Sequence, residues 1–142
     1  MKFAVFLASL AYCLPAVAQP SVIGTWMTQN NGGVVQIESC PTGICGYVVG
    51  ITRFQPDGAA PLDVHGRSRC HLQIIPDGHQ DSDGVWSSHI TDPDDGDTYT
   101  IDLRPDGPDR LHMRGYVGLP LFGRTVYWTR FTGTLTPDCH IR

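Results

Sequence analysis

Apolar and polar residues alternate with a period of two along much of this chain. In 97–104, Tyr99, Ile101 and Leu103 point one way while Thr98, Thr100, Asp102 and Arg104 point the other. In 110–117, Leu111, Met113 and Val117 oppose His112, Arg114 and Tyr116. That alternation predicts strands with one buried and one wetted face. Eight runs read this way: 23–29, 33–39, 45–53, 70–76, 85–91, 97–104, 110–117 and 124–131. Asn30-Asn31-Gly32-Gly33, Pro76-Asp77-Gly78, Asp94-Asp95-Gly96 and Pro105-Asp106-Gly107 separate them, all rich in residues that suit tight turns. Short strands joined by hairpin turns predict an all-β, antiparallel, up-and-down meander. Eight such strands can close into a small barrel that leaves no exposed edge. No segment carries a helical stripe, and there is no repeat or linker. The longest irregular stretch, Phe54 to Arg69, is placed at one rim of the barrel.

An eight-stranded barrel has a lumen that side chains can fill or one small ligand can occupy. The alternation predicts Val35, Ile37, Tyr47, Val49, Leu72, Ile74, Trp86, Tyr99, Ile101, Leu111, Met113 and Trp128 as inward residues. Tyr47, Val49, Leu72, Ile74, Trp86, Tyr99, Ile101, Met113 and Trp128 are the candidate ligand contacts. The indoles of Trp86 and Trp128 could plug the lumen or line it with a polar handle.

The first 18 residues read as a secretory signal: Lys2, an apolar run from Phe3 to Leu14, and Ala16-Val17-Ala18 as a cleavage site. A single domain is then expected over 19–142, in the periplasm or outside the cell. The apolar run is shorter than the ~20 residues of a membrane-spanning helix. Cys13 follows Tyr12, not the small residue that lipoprotein processing favours. The net charge of −4 becomes more negative once Lys2 leaves. No basic patch forms, so nucleic acid is not an expected partner. Lys2 is the only lysine and Glu38 the only glutamate, and 16 Gly and 11 Pro favour turns over helices.

Four cysteines remain after the signal: Cys40, Cys45, Cys70 and Cys139. In an exported chain they read as two disulfides, for which three pairings exist. Cys40–Cys45 with Cys70–Cys139 is the preferred pairing, because the first two flank a short loop, Pro41 to Ile44. A zinc–thiolate site lacks the usual C-x-x-C spacing.

Other chemistry is sparse. The acidic run Asp92 to Asp97 could bind calcium, but it lacks the ligand order of an EF-hand and suits a plain turn. His65, His71, His79, His89, His112 and His140 form no metal-binding motif. Ser87, Ser88 and His89 are neighbours, yet adjacent strand residues face opposite ways and make no triad. There is no G-x-S-x-G elbow. No catalysis, resident metal or cofactor is expected. The loop Gly118 to Gly123 contains Leu119, Pro120, Leu121 and Phe122, an apolar surface turn that could plug the barrel or meet an envelope or protein partner.

Gly24-x-Trp26, Val34-Val35-Gln36-Ile37 and Cys40-x4-Cys45-Gly46 resemble the N-terminal half of a family of bacterial exported proteins, the domain of unknown function 2147 family. Asp92-Pro93-Asp94-Asp95-Gly96-Asp97-Thr98-Tyr99 resembles its D-P-x-D-G-x-x-Y hairpin. Leu111-x-x-Arg114-Gly115-Tyr116-Val117-Gly118, Gly123-Arg124-Thr125 and Trp128-Thr129-Arg130 resemble its closing segment. The resemblance implies a small lipocalin-like barrel of the calycin group with no assigned reaction. It implies that Trp26 and Arg130 pack together where the barrel closes, and that a disulfide ties tail to barrel, in keeping with Cys70–Cys139. The chain departs from the family at Ser87-Ser88-His89, where a Gly-rich stretch is usual, and over 54–69. The function expected is binding of a small apolar or amphipathic ligand in the lumen. The alternatives are a filled barrel acting through loop 118–123 and a metal scavenger using His and Asp side chains.

Overall fold

The computed structural model describes residues 12–17 and 19–142, so most of the expected signal segment lies outside the described residues. Eight strands follow in order: β1 (Gly24–Met27), β2 (Gly33–Cys40), β3 (Gly43–Ile51), β4 (Gln73–Gln80), β5 (Trp86–Thr91), β6 (Thr98–Pro105), β7 (Arg110–Tyr116) and β8 (Arg124–Arg130). Each pairs antiparallel with the next, and β8 pairs back onto β1 to close the barrel. Short 3-10 turns at Gln29–Asn31 and Pro120–Phe122 precede β2 and β8.

Seven of the expected strands fall close to their predicted bounds. The fourth is displaced, because Pro76-Asp77-Gly78 lies inside β4 and is not a turn. Proline cannot donate to a ladder, and here it sits where the β3–β4 register shifts between Ile44↔Gly78 and Gly46↔Ile75. The turn comes later, where the Asp81 carboxylate accepts the N–H groups of Asp83 and Val85.

One end of the barrel is closed by packing. Trp26, Ile37, Ile44, Ile75, Leu103 and Leu111 are completely buried there. The Trp26 indole N–H donates to the Val22 carbonyl at 2.8 Å. The Arg130 guanidinium lies 4.1 Å over the Trp26 ring, and the two residues pair directly across the β1–β8 seam. Arg130 also donates to the Pro108 carbonyl at 2.8 Å, with longer contacts to the carbonyls of Ile23 and Ser21 at 3.5 and 3.4 Å. Gly24 makes this arrangement possible: its φ is +144°, and a Cβ there would collide with Arg130 Nη1. The disulfide Cys40–Cys45 staples the β2–β3 hairpin at this end.

The C-terminal tail wraps the outside. Leu135 lies over Gly50 and Val34, His140 bridges Ile51 and stacks on Phe54 at 3.9 Å, and Cys139 is bonded to Cys70. Both disulfides therefore pair as the sequence suggested.

Two stability predictions follow from the seam and the tail. Arg130→Met removes a cation–π contact and a charge-assisted hydrogen bond, an expected loss of about 2 kcal/mol. The check is a lower urea midpoint at unchanged slope. On the loop-entropy model, opening Cys70–Cys139 costs roughly 4 kcal/mol and opening Cys40–Cys45 roughly 2. The corresponding double Cys→Ala variants should melt in that order.

Candidate functional site

The other end of the barrel is open. Strands β1, β3, β5 and β7 all end there, so four connections surround one mouth: 28–32, 52–72, 92–97 and 117–123. Below the mouth lies a cavity of about 1060 Å³. That volume is at the upper end for small-molecule sites. Val35, Val48, Ile74, Ile90, Ile101, Met113, Val126 and Trp128 form its apolar wall.

The register explains this wall. Val35 pairs with Val48, Ser88 with Ile101, and Met113 with Val126, so each pair shares the inner face. Gly115 stands between Ile101 and Arg124 on that face. A Cβ at Gly115 would meet only Ile101 Cγ2, at 3.8 Å, so open space adjoins it. Gly46 and Gly78 are different: Ile75 and Ile44 already occupy the space over them, within the closed end.

The expected lumen residues divide accordingly. Ile74, Tyr99, Ile101, Met113 and Trp128 line the cavity. Leu72 packs against the core but borders a separate cavity of about 210 Å³ under the long loop. Trp86 packs against the core near Gly43, at the closed end and away from the cavity. Tyr47 and Val49 were expected inside and are not among its walls. Tyr47 pairs with Gln36, on the face opposite Val35 and Ile37. Val49 falls where the β2–β3 register slips between Val34↔Gly50 and Val35↔Val48. Gly46 and Val48 pair with the inward Ile37 and Val35, so by strand alternation Tyr47 and Val49 take the outer face and Val48 supplies the inner contact. Val35, Ile37 and Leu111 are inward as expected.

Polar groups gather at the mouth. Arg53, Arg69, Asp92, Asp94, Tyr99 and Arg124 all border it. Arg69 is ion-paired with Asp94. The Tyr99 phenol is held above its ordinary value of 10.0, first by the charge of Asp95, then by burial and by Asp97 and Asp92, while Arg124 pulls the other way. Tyr99 therefore keeps its proton at neutral pH. In the acidic turn, Asp92 and Asp95 each accept a main-chain N–H two residues on, the ordinary Asx-turn geometry.

The long loop is folded, not trailing. Its centre is Asp63, whose side chain is 3% exposed. Asp63 accepts the N–H groups of His65 and Arg67 at 2.9 and 2.8 Å, and its other oxygen takes the Arg67 guanidinium. Burial alone would raise its pKa, but these donors together hold the carboxyl below its ordinary value of 3.8. Val64 rests on Gly96 of the acidic turn, and Arg69 reaches Asp94, so loop and turn are joined at two points.

The remaining candidates are scattered. Ser88 faces inward and its hydroxyl donates to the Asp77 carbonyl, while Ser87 donates to Asp102 on the outer face. His71 Nε2 lies 4.0 Å from Cys139 Sγ, beside the Cys70–Cys139 disulfide, and 2.7 Å from the Pro137 carbonyl. Sulfurs bonded to each other are not thiolate ligands.

A closed, up-and-down, eight-stranded barrel with an apolar cavity under one open mouth defines the lipocalin-like class of folds. The chain belongs to the family described as an uncharacterized protein conserved in bacteria, domain of unknown function 2147, whose model matches residues 24–130. Among solved structures it is similar to protein HP1028 from Helicobacter pylori, described as belonging to the lipocalin family. That likeness has a TM-score of 0.66 at 16% identity and covers 80% of this chain and 85% of the other. Among curated proteins none matches. No described helix is long and apolar enough to cross a membrane.

The Asp63 geometry sets a pH dependence. A carboxyl with a lowered folded pKa stabilises above its ordinary value of 3.8 and loses that contribution as pH falls through the folded value. Hydrogen-exchange protection in 61–70, measured relative to the unstructured-chain rate at the same pH, is therefore expected to fall as the pH drops through the folded value. Asp63→Asn should show the reduced protection already at neutral pH.

Proposed function

We propose that this protein is an exported, non-catalytic carrier that holds a small apolar or amphipathic molecule in the open half of its barrel. The observation that carries this reading is the cavity of about 1060 Å³ with its wall of Val, Ile, Met and Trp side chains. Apolar surface around an open cavity is a standing gain for any apolar guest that displaces its water. Two disulfides fit an oxidising compartment, and the sequence of the first 18 residues suits a cleaved secretory signal, so the periplasm or the outside of the cell is the proposed location.

A second reading draws on the loop at the mouth. Leu119, Leu121 and Phe122 are 62%, 80% and 77% exposed, which suits contact with an envelope or protein partner.

Gly115→Phe separates the two. Open space beside Gly115 accommodates the ring, so the fold should keep its melting temperature or gain slightly. Native mass spectrometry of protein purified without denaturation should show an organic adduct on the parent chain and none on the variant. For added apolar ligands the variant should bind at least about tenfold more weakly, a loss of about 1.4 kcal/mol. Equal retention by both proteins would remove the lumen as the site. Leu119→Asp with Leu121→Asp, neither of which lines the cavity, should leave ligand retention intact if the loop serves only a partner.

A further inference from the structure

We infer that the guest is an anionic amphiphile, bound tail inward with its negatively charged head between Arg124 and Tyr99 at the mouth. This rests on the carrier reading and names the chemistry of its ligand.

The placement of charge carries it. Arg124 opens β8 on the inner face, directly across from Gly115, so its guanidinium stands over the open space described above. Among the described residues Arg124 forms no salt bridge and no side-chain hydrogen bond, and the same holds for Arg53 across the mouth. The third mouth cation, Arg69, is already matched by Asp94. Two cations without acidic partners thus border an apolar cavity. Tyr99, one rung above Ile101 on the inner face, adds a phenolic O–H that no protein acceptor takes among the described residues.

A carboxylate, sulfate or phosphate head would satisfy these donors, because charge-assisted hydrogen bonds to guanidinium are the stronger kind. Of the carboxylates in the acidic turn, Asp94 holds Arg69, while Asp92 and Asp95 accept main-chain N–H groups and keep their charge on the Tyr99 side, so the Arg124 side of the mouth is where an anionic head gains most. A cationic head at the same depth would be repelled by Arg124 and Arg53, which border the cavity directly. An uncharged head leaves the guanidinium in water, where it began. The tail then runs down the wall past Ile101 and Met113 to Trp128.

The experiment uses the mature, oxidised protein and N-phenyl-1-naphthylamine, an uncharged probe that fluoresces in apolar surroundings. Dodecanoate, dodecanol and dodecylammonium compete for it at neutral pH and low salt. Dodecanoate should displace the probe at least about tenfold more effectively than dodecanol, with the ammonium weakest, and added salt should shrink the gap. Arg124→Gln should remove most of the advantage of dodecanoate over dodecanol and leave dodecanol unchanged. Arg53→Gln should narrow the gap in part. Equal displacement by all three, or an undiminished preference in the Arg124→Gln, Arg53→Gln double variant, overturns the head-group assignment and leaves the carrier reading standing. Failure of the probe and all three chains to bind overturns the carrier reading and this inference with it.

Discussion

The barrel exists because β1 and β8 meet. Only two residue pairs join them, Trp26↔Arg130 and Met27↔Thr129, whereas β2 and β3 share eight. So short a ladder needs help from side chains. The Arg130 guanidinium supplies it by lying on the indole and reaching carbonyls on both sides of the seam. Gly24 leaves the space for that guanidinium, and Trp26 fills the floor beneath it. The G-x-W pattern and the last arginine are therefore one device. Once the seam holds, the inner faces of all eight strands converge and the cavity above the floor is defined.

Much of this is legible in the chain. Period-two alternation marks β6 and β7 without ambiguity, because their polar residues are charged and their apolar ones large. Asp-Gly turns at 95–96 and 106–107 mark the joints. The two misplacements have different physical origins. Tyr47 and Val49 were assigned to the lumen because β3 has no charged residue to reveal its wet face. Pro76-Asp77-Gly78 looked like a turn because its residues are those of turns, yet a register shift absorbed it. Disulfide pairing was readable only in part from spacing, since Cys70 and Cys139 meet through a tail whose path the strand pattern does not describe.

The site was harder to read than the fold. A cavity is a sum over many side chains, and no single residue announces it. Gly115 and Gly46 look alike in sequence, but one adjoins space and the other is filled by Ile75. The unpaired state of Arg124 is likewise a property of the assembled mouth. What the sequence did offer was the set of large inward residues, and Ile74, Tyr99, Ile101, Met113 and Trp128 do share one cavity.

The seam also orders events in time. Seven of the eight strand pairings are between neighbours in the chain, and six of these cross connections of seven residues or fewer and can form as local hairpins. The eighth joins groups as far apart as Arg130 and Ile23, 107 residues along the chain. Closure of so long a loop carries the largest entropic cost and the slowest search, which predicts that it comes last in assembly. Until it happens, β1 and β8 are both free edges that a second copy could extend. The Cys70–Cys139 bond anchors the chain just beyond β8 to the middle of the sheet. Oxidation before closure thereby shortens the remaining search and reduces the lifetime of the aggregation-prone open sheet.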